Sequence, residues 1–263
     1  MKRKICQAIF AICVLLTLSG CASSDVKKKT KENVKEYEDD FVKKIESELG
    51  SDFVLSGVEG YISVWVSDYS LFPQEGVSNQ LTGIITKDGK KYDAMYNFET
   101  DELYTDYYKY DIIRSLTDTL EMDYSKVSDA VIFNQDAGTF PTLFSADYQD
   151  IGTLLNGNKG KHICIYIVTS EDLSDLDIEE YKNLCERKKG EAEVYILMSD
   201  DFKNADHFEK NCYGIFDAGG AHPEVDYKGE STDIYTLYNL KIFLLIDTGF
   251  DDKIGDIEVI KYE

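Results

Sequence analysis

His207, Asp217 and His222 are the residues whose types suit metal ligation or general base chemistry, since imidazole titrates near neutrality and binds metals through a neutral nitrogen. Asp217-Ala-Gly219-Gly220-Ala-His222-Pro-Glu224 is the better placed of these: two glycines let backbone approach a ligand, and polar groups flank them beyond a predicted strand near Tyr213–Phe216. An ordinary long turn accounts for the same residues, and His207, in a polar stretch, reads as a surface side chain. Asp247, Asp251, Asp252 and Asp256 concentrate the oxygen ligands calcium prefers. Their spacing departs from the EF-hand loop and Lys253 opposes a cation, so they read as a solvated acidic turn. Ser24-Asp-Val-Lys27 fits the S-x-x-K pattern but lies in a lysine-rich stretch with no expected pocket. Gly157-Asn-Lys-Gly160-Lys161-His162 resembles a phosphate loop, yet histidine stands where Ser or Thr is needed and a strand follows where a helix should. The sequence contains no G-x-S-x-G, H-E-x-x-H, C-x-x-C or G-x-G-x-x-G motif, so no catalytic residue, metal site or cofactor is assigned.

The thiols point elsewhere. Cys164 falls inside an apolar run and Cys185 on the apolar side of a predicted helix, as small core residues do. With Cys212 they make an odd set without a close pair, which argues against a disulfide framework and leaves a single Cys164–Cys212 or Cys185–Cys212 bridge open.

Cys21 is different. Lys2, Arg3 and Lys4 precede an apolar run from Ile5 to Leu18, interrupted only by Gln7 and Thr17, and Leu18-Ser19-Gly20-Cys21 closes it. Fourteen residues at about 1.5 Å each reach about 21 Å, short of a hydrocarbon core of about 30 Å, so the run reads as an export signal over residues 1–20 rather than a membrane span. Leu-Ser-Gly-Cys is similar at all four positions to the lipobox of bacterial lipoproteins. The resemblance covers the leader alone. It implies diacylglycerol on the Cys21 sulfur, cleavage between Gly20 and Cys21, and a place on the extracytoplasmic face of the cell membrane, with the lipid as the membrane partner. Residues 21–33 then read as a lipidated cysteine and a flexible tether carrying Lys27, Lys28, Lys29 and Lys31, cations favoured beside an anionic bilayer.

The charge balance narrows the partners. The chain has 28 basic and 50 acidic side chains, and loss of the three leader cations takes the net charge from −22 to −25. Nearly all of that excess lies after Glu32, and such an ectodomain repels nucleic acid and anionic lipid headgroups, which argues against both as its partners. With 43% hydrophobic and 13% aromatic residues the chain is not disordered. An envelope protein or a small molecule is the expected partner of a non-catalytic binding or accessory module; solute capture for a transporter and metal-assisted hydrolysis are the alternatives.

Two regions must position whatever binds. In residues 34–123, Val34, Tyr37, Phe41, Ile45 and Leu49 share one face of a helix predicted over 33–49. Strands are predicted at 53–58 and 61–67, with Tyr61, Ser63, Trp65 and Ser67 on one side and Ile62, Val64 and Val66 on the other. A hairpin is predicted across Lys87-Asp88-Gly89-Lys90, whose Asp-Gly suits positive φ, and a second helix capped by Asp106 runs to about Leu120. This is an α+β layout of helices on an antiparallel sheet. Thr86 to Tyr92 with Tyr96-Asn-Phe-Glu-Thr-Asp-Glu-Leu103, behind a helix, resembles PepSY-like domains of exported proteins, with Thr100-Asp101 where that family commonly has Thr-Gly. In residues 128–263, His162–Val168, Val194–Met198 and Ile242–Ile246 are nearly continuous apolar runs, as in strands covered on both faces, and a helix over 177–188 between the first two makes a βαβ unit in a small α/β layer structure. Nineteen tyrosines, four of them at Tyr104, Tyr107, Tyr108 and Tyr110, suit either binding surface or core, and core use is the default.

Overall fold

The computed structural model describes residues 23–65, 74–134, 142–157, 163–202, 208, 224–227, 230–248 and 257–262. They form an α+β protein divided into two compact units, the first ending at Leu103 and the second beginning at Tyr104.

In the first unit, helix α1 (Ser24–Glu48) precedes three antiparallel strands, β1 (Val54–Trp65), β2 (Gln74–Lys87) and β3 (Lys90–Asn97), in the order β1-β2-β3. The apolar stripe of α1 does what its spacing predicts: Phe41 and Ile45 are buried, Phe41 stacks on Tyr96 and Tyr37 on Phe98. The helix starts at Ser24, nine residues before the predicted Asn33, which corrects the reading of residues 21–33 as a flexible tether over its stretch 24–33. Ser23 caps it by accepting from the Val26 amide, Lys28 pairs with Glu32 four residues on, and Thr30 continues the buried stripe backwards from Val34.

The two predicted strands 53–58 and 61–67 are one strand, β1, with register shifts between Ser56 and Glu59 and between Gly60 and Ile62. Gly57, at φ 64°, absorbs the first irregularity. The predicted apolar face of β1 is only partly covered, and Val64 is 60% exposed. The β2–β3 hairpin closes as expected: Lys87 pairs with Lys90, and Asp88 and Gly89 both take positive φ. Asp101 also sits at positive φ (55°), and its carboxylate accepts from Tyr96 Oη and pairs with Lys44, so three side chains hold a conformation glycine would adopt freely.

In the second unit, β4 (Glu102–Thr105) contributes Tyr104 and Thr105, which pair with Ser145 and Phe144 of β6 (Phe144–Ser145). The main sheet has β5 (Val127–Asn134), β7 (Ile163–Thr169), β8 (Glu193–Met198), β11 (Ile242–Asp247) and β12 (Glu258–Tyr262) in the order β12-β11-β8-β7-β5. Only β7 and β8 are parallel, joined by the predicted helix as α4 (Glu179–Lys188), so the βαβ unit is present. Every residue of β7 and β8 is buried, as their unbroken apolar runs require. One face packs against α2 (Lys109–Thr119), α3 (Ile151–Gly157) and α4 through Ile112, Leu116, Leu154 and Tyr181; the other carries Tyr166, Tyr195, Phe243 and Tyr238 from the sheet and from α5 (Ile234–Tyr238). A separate hairpin pairs β9 (Glu224–Tyr227) with β10 (Glu230–Asp233).

The helix expected over 106–120 in the N-terminal half is α2, and its buried stripe belongs to the core of the second unit. It begins at Lys109, with Tyr108 at the N-cap and no side-chain cap, and the Asp106 carbonyl accepts from the Lys109 amide. Helix α4 ends on Lys189 at φ 56°, and Gly190 then passes so close to α3 that an added Cβ would stand 1.9 Å from the Leu155 carbonyl oxygen. Backbone meets backbone there, so no rotamer relieves it. Gly190→Ala is expected to lower stability by about 1–3 kcal/mol, read as an earlier urea midpoint at unchanged slope.

Candidate functional site

Three places bring polar or charged side chains together. A groove in the first unit lies between the first half of α1 and the adjoining stretch of β1. It has a volume of about 480 Å³ and is lined by Lys27, Thr30, Lys31, Val34, Lys35, Val58, Glu59, Gly60 and Ile62. Pockets of about 300–1,000 Å³ suit small ligands. The floor is apolar, from Val34, Val58 and Ile62, and Gly60 lets Thr30 drop onto the strand: a Cβ at Gly60 would stand 2.4 Å from Thr30 Cγ2. Lys27, Lys31 and Lys35 follow at four-residue intervals, so they share one helix face along the rim, and all three are exposed. Among the described residues none of these three ammonium groups forms an ion pair, while the opposite rim carries one carboxylate, Glu59.

The second place is polar and closed. Cys164 and Glu193 are paired residues on the parallel strands β7 and β8, and one oxygen of Glu193 accepts from Cys164 Sγ at 3.3 Å and from Tyr195 Oη at 2.9 Å. Tyr195 stacks on Tyr166, with centroids 4.4 Å apart. Burial, reinforced by the Glu193 charge, pushes the Cys164 thiol and the Tyr195 phenol well above their ordinary ranges. Glu191 is pushed up as well, by burial and by the charges of Glu193 and Asp247. The thiol is therefore a proton donor to a carboxylate, not a nucleophile.

The third place is a cleft of about 50 Å³ beyond the carboxyl ends of β7 and β8, where parallel sheets commonly receive ligands. It has room for a water or two at about 30 Å³ each. Lys241 and Asp200, which line it, already pair with each other.

The predicted site residues fall as follows. Gly20, Cys21, His207, Cys212, Asp217, Gly219, Gly220, His222, Asp251, Asp252 and Asp256, with residues 158–162, lie outside the described residues. Asp247 is half-buried at the end of β11, opposite Glu258. No group of three His, Cys, Asp or Glu side chains among the described residues is arranged to hold a metal. Cys164 and Cys185 are buried thiols in the two core faces. Of the clustered tyrosines, Tyr104, Tyr107 and Tyr108 are half-buried and Tyr110 is 48% exposed, beneath the Lys109 ammonium at 4.8 Å. Ser24 and Lys27 are both exposed on the first turn of α1, and Lys27 lines the groove, where the S-x-x-K stretch was expected to meet no pocket.

Sequence reasoning missed the groove because the lysine run was assigned to a tether. The signal was present: Val26, Thr30, Val34, Tyr37 and Phe41 keep the three- and four-residue spacing back through the lysines. It also missed Glu193, whose mark was a lone charge opening an apolar run. No protein-family model, no curated protein and no solved structure matches this chain.

Two outcomes follow for the thiols. Iodoacetamide labelling mapped by mass spectrometry is expected to spare Cys164 and Cys185 in the native protein and to modify both in urea. Burial also raises Cys185 from 9.0 to about 12 and, with Asp101 assisting, Tyr96 from 10.0 to about 12. A group raised on folding stabilises the protein fully below its unfolded pKa and loses that contribution as pH climbs towards the folded value. Stability is therefore expected to fall between pH 9 and 12, less steeply in Cys185→Ala, as read by urea midpoints across that range.

Proposed function

We propose that this chain is a lipid-anchored, extracytoplasmic lipoprotein of the bacterial cell envelope, acting as a non-catalytic binding or accessory module. Leu18-Ser19-Gly20-Cys21, behind an apolar run and a basic cluster, carries the reading. Acylation of Cys21 with two chains gives durable attachment, since each buried methylene contributes about 0.8 kcal/mol and a single chain is marginal. No helix among the described residues is long and apolar enough to cross a membrane. The helix beginning at Ser24 supports the same reading, because only Ala22 and Ser23 separate it from Cys21. A binding role is favoured over a catalytic one by the two described thiols, both held protonated in the core, and by an open, apolar-floored groove of about 480 Å³. The partner is then a small molecule or an envelope protein.

Growth with labelled palmitate tests the anchor. The wild-type chain is expected to take up label and sediment with membranes, and Cys21→Ala to lose both. Equal labelling of the two chains would remove the proposal.

A further inference from the structure

We propose that the groove between α1 and β1 binds an anionic phospholipid of the membrane that holds the protein, headgroup against Lys27, Lys31 and Lys35 and acyl chain on Val34, Val58 and Ile62. This rests on the anchored reading above and assigns the ligand of its groove.

Charge order within α1 is the first argument. Its first half carries Lys27, Lys28, Lys29, Lys31 and Lys35 against Asp25 and Glu32, and its second half carries Glu36, Glu38, Asp39, Asp40, Glu46 and Glu48 against Lys43 and Lys44. A helix has partial positive charge at its N-terminus and negative charge at its C-terminus, so beyond the favourable Asp25 of the first turn this order opposes the macrodipole. Helix stability does not explain it. An anionic surface at the N-terminal end does.

Position is the second argument. Lys35 lies about 16 Å along the helix from Ser24 at about 1.5 Å per residue, so the whole rim is within reach of a bilayer surface at Cys21. The Ser23 amide donates to Glu75 at 3.1 Å, and Glu75 is the strand partner of Val64. The exposed Val64 is thus set at the end of the helix nearest Cys21, with Ile62 next on the same face of β1 and lining the groove.

The groove's chemistry is the third. Three cations without described carboxylate partners stand over an apolar floor, the pattern that an anionic headgroup with an acyl chain complements. A free anion would use the rim and leave the floor empty; an acidic peptide would use the rim without needing the apolar floor.

Full-length protein carrying Cys21→Ala, labelled at valine and isoleucine methyls, tests this with monomeric dihexanoyl phosphatidylglycerol, because the result then needs no acylation. Saturable shifts of the Val34, Val58 and Ile62 methyls are expected with phosphatidylglycerol, at least tenfold weaker with dihexanoyl phosphatidylcholine. Replacing Lys27, Lys31 and Lys35 by Gln together is expected to weaken binding at least tenfold, and Lys43→Gln to leave it unchanged. Val58→Trp, which fills the floor and keeps all three lysines, is expected to weaken it as well. The inference fails if no methyl shift saturates, if phosphatidylcholine binds equally, if Val58→Trp has no effect, or if inorganic phosphate or a Glu-rich peptide reproduces the shifts. An acylated wild-type chain whose groove ignores the lipid defeats this inference and keeps the anchor; groove binding in a chain that takes up no palmitate does the reverse.

Discussion

The contact of Thr30 with Gly60 is the constraint on which the first unit depends. A β-branched side chain has little χ1 freedom in a helix, and Thr30 is further tied by its hydroxyl, which donates to the Val26 carbonyl at 2.8 Å. It reaches β1 only because Gly60 has no side chain. About three turns further along the helix, Gly83 leaves space chiefly for Leu55 of β1, with Phe41 in ordinary contact. Gly60 therefore sets how close the first half of α1 lies to β1. The groove is the gap that remains between the helix, held down by Thr30, and the strand at Val58 and Ile62.

That close approach also explains how a helix with its charges in the wrong order forms at all. Each misplaced charge near an exposed terminus costs about 0.3–1 kcal/mol, and less at physiological salt. Fully burying Phe41 or Ile45 contributes about 1.5–3 kcal/mol each. The Lys28–Glu32 pair and the Ser23 cap add smaller amounts. Packing outweighs electrostatics, so the sequence of α1 is free to concentrate lysine at one end and carboxylate at the other.

In the second unit the buried sheet turns reactive side chains into structural ones. An aromatic series crosses it strand by strand, from Phe133 through Tyr166, Tyr195 and Phe243 to Tyr262, by direct partners and diagonal neighbours. Glu193 opens β8 beneath this series, and a buried carboxylate is costly unless donors meet it. Cys164 and Tyr195 are those donors. The same contact that satisfies the carboxylate keeps the thiol protonated, so the chemistry a cysteine could offer is spent on holding a charge in the core. On the other face Cys185 lies beside Tyr181, whose hydroxyl donates to the Ala192 carbonyl.

Most of the second unit was legible because its signals are local and redundant. An unbroken apolar run can only be a strand covered twice when an amphipathic helix follows it, and in the first unit Asp88-Gly89 likewise admits few turns other than the one found. What stayed hidden depended on partners distant in sequence. The stripe of α2 is apolar whichever sheet it covers, so periodicity could not show that Ile112 and Leu116 share a core with Ile132 and Ile165 rather than with the earlier strands. Lysine has good helix propensity but no pattern of its own, and a lysine run reads as solvated chain until something fixes one face of it. Here that something is a glycine thirty residues further on. The groove could be seen in sequence only by pairing Thr30 with Gly60, and nothing in the spacing of either residue names the other.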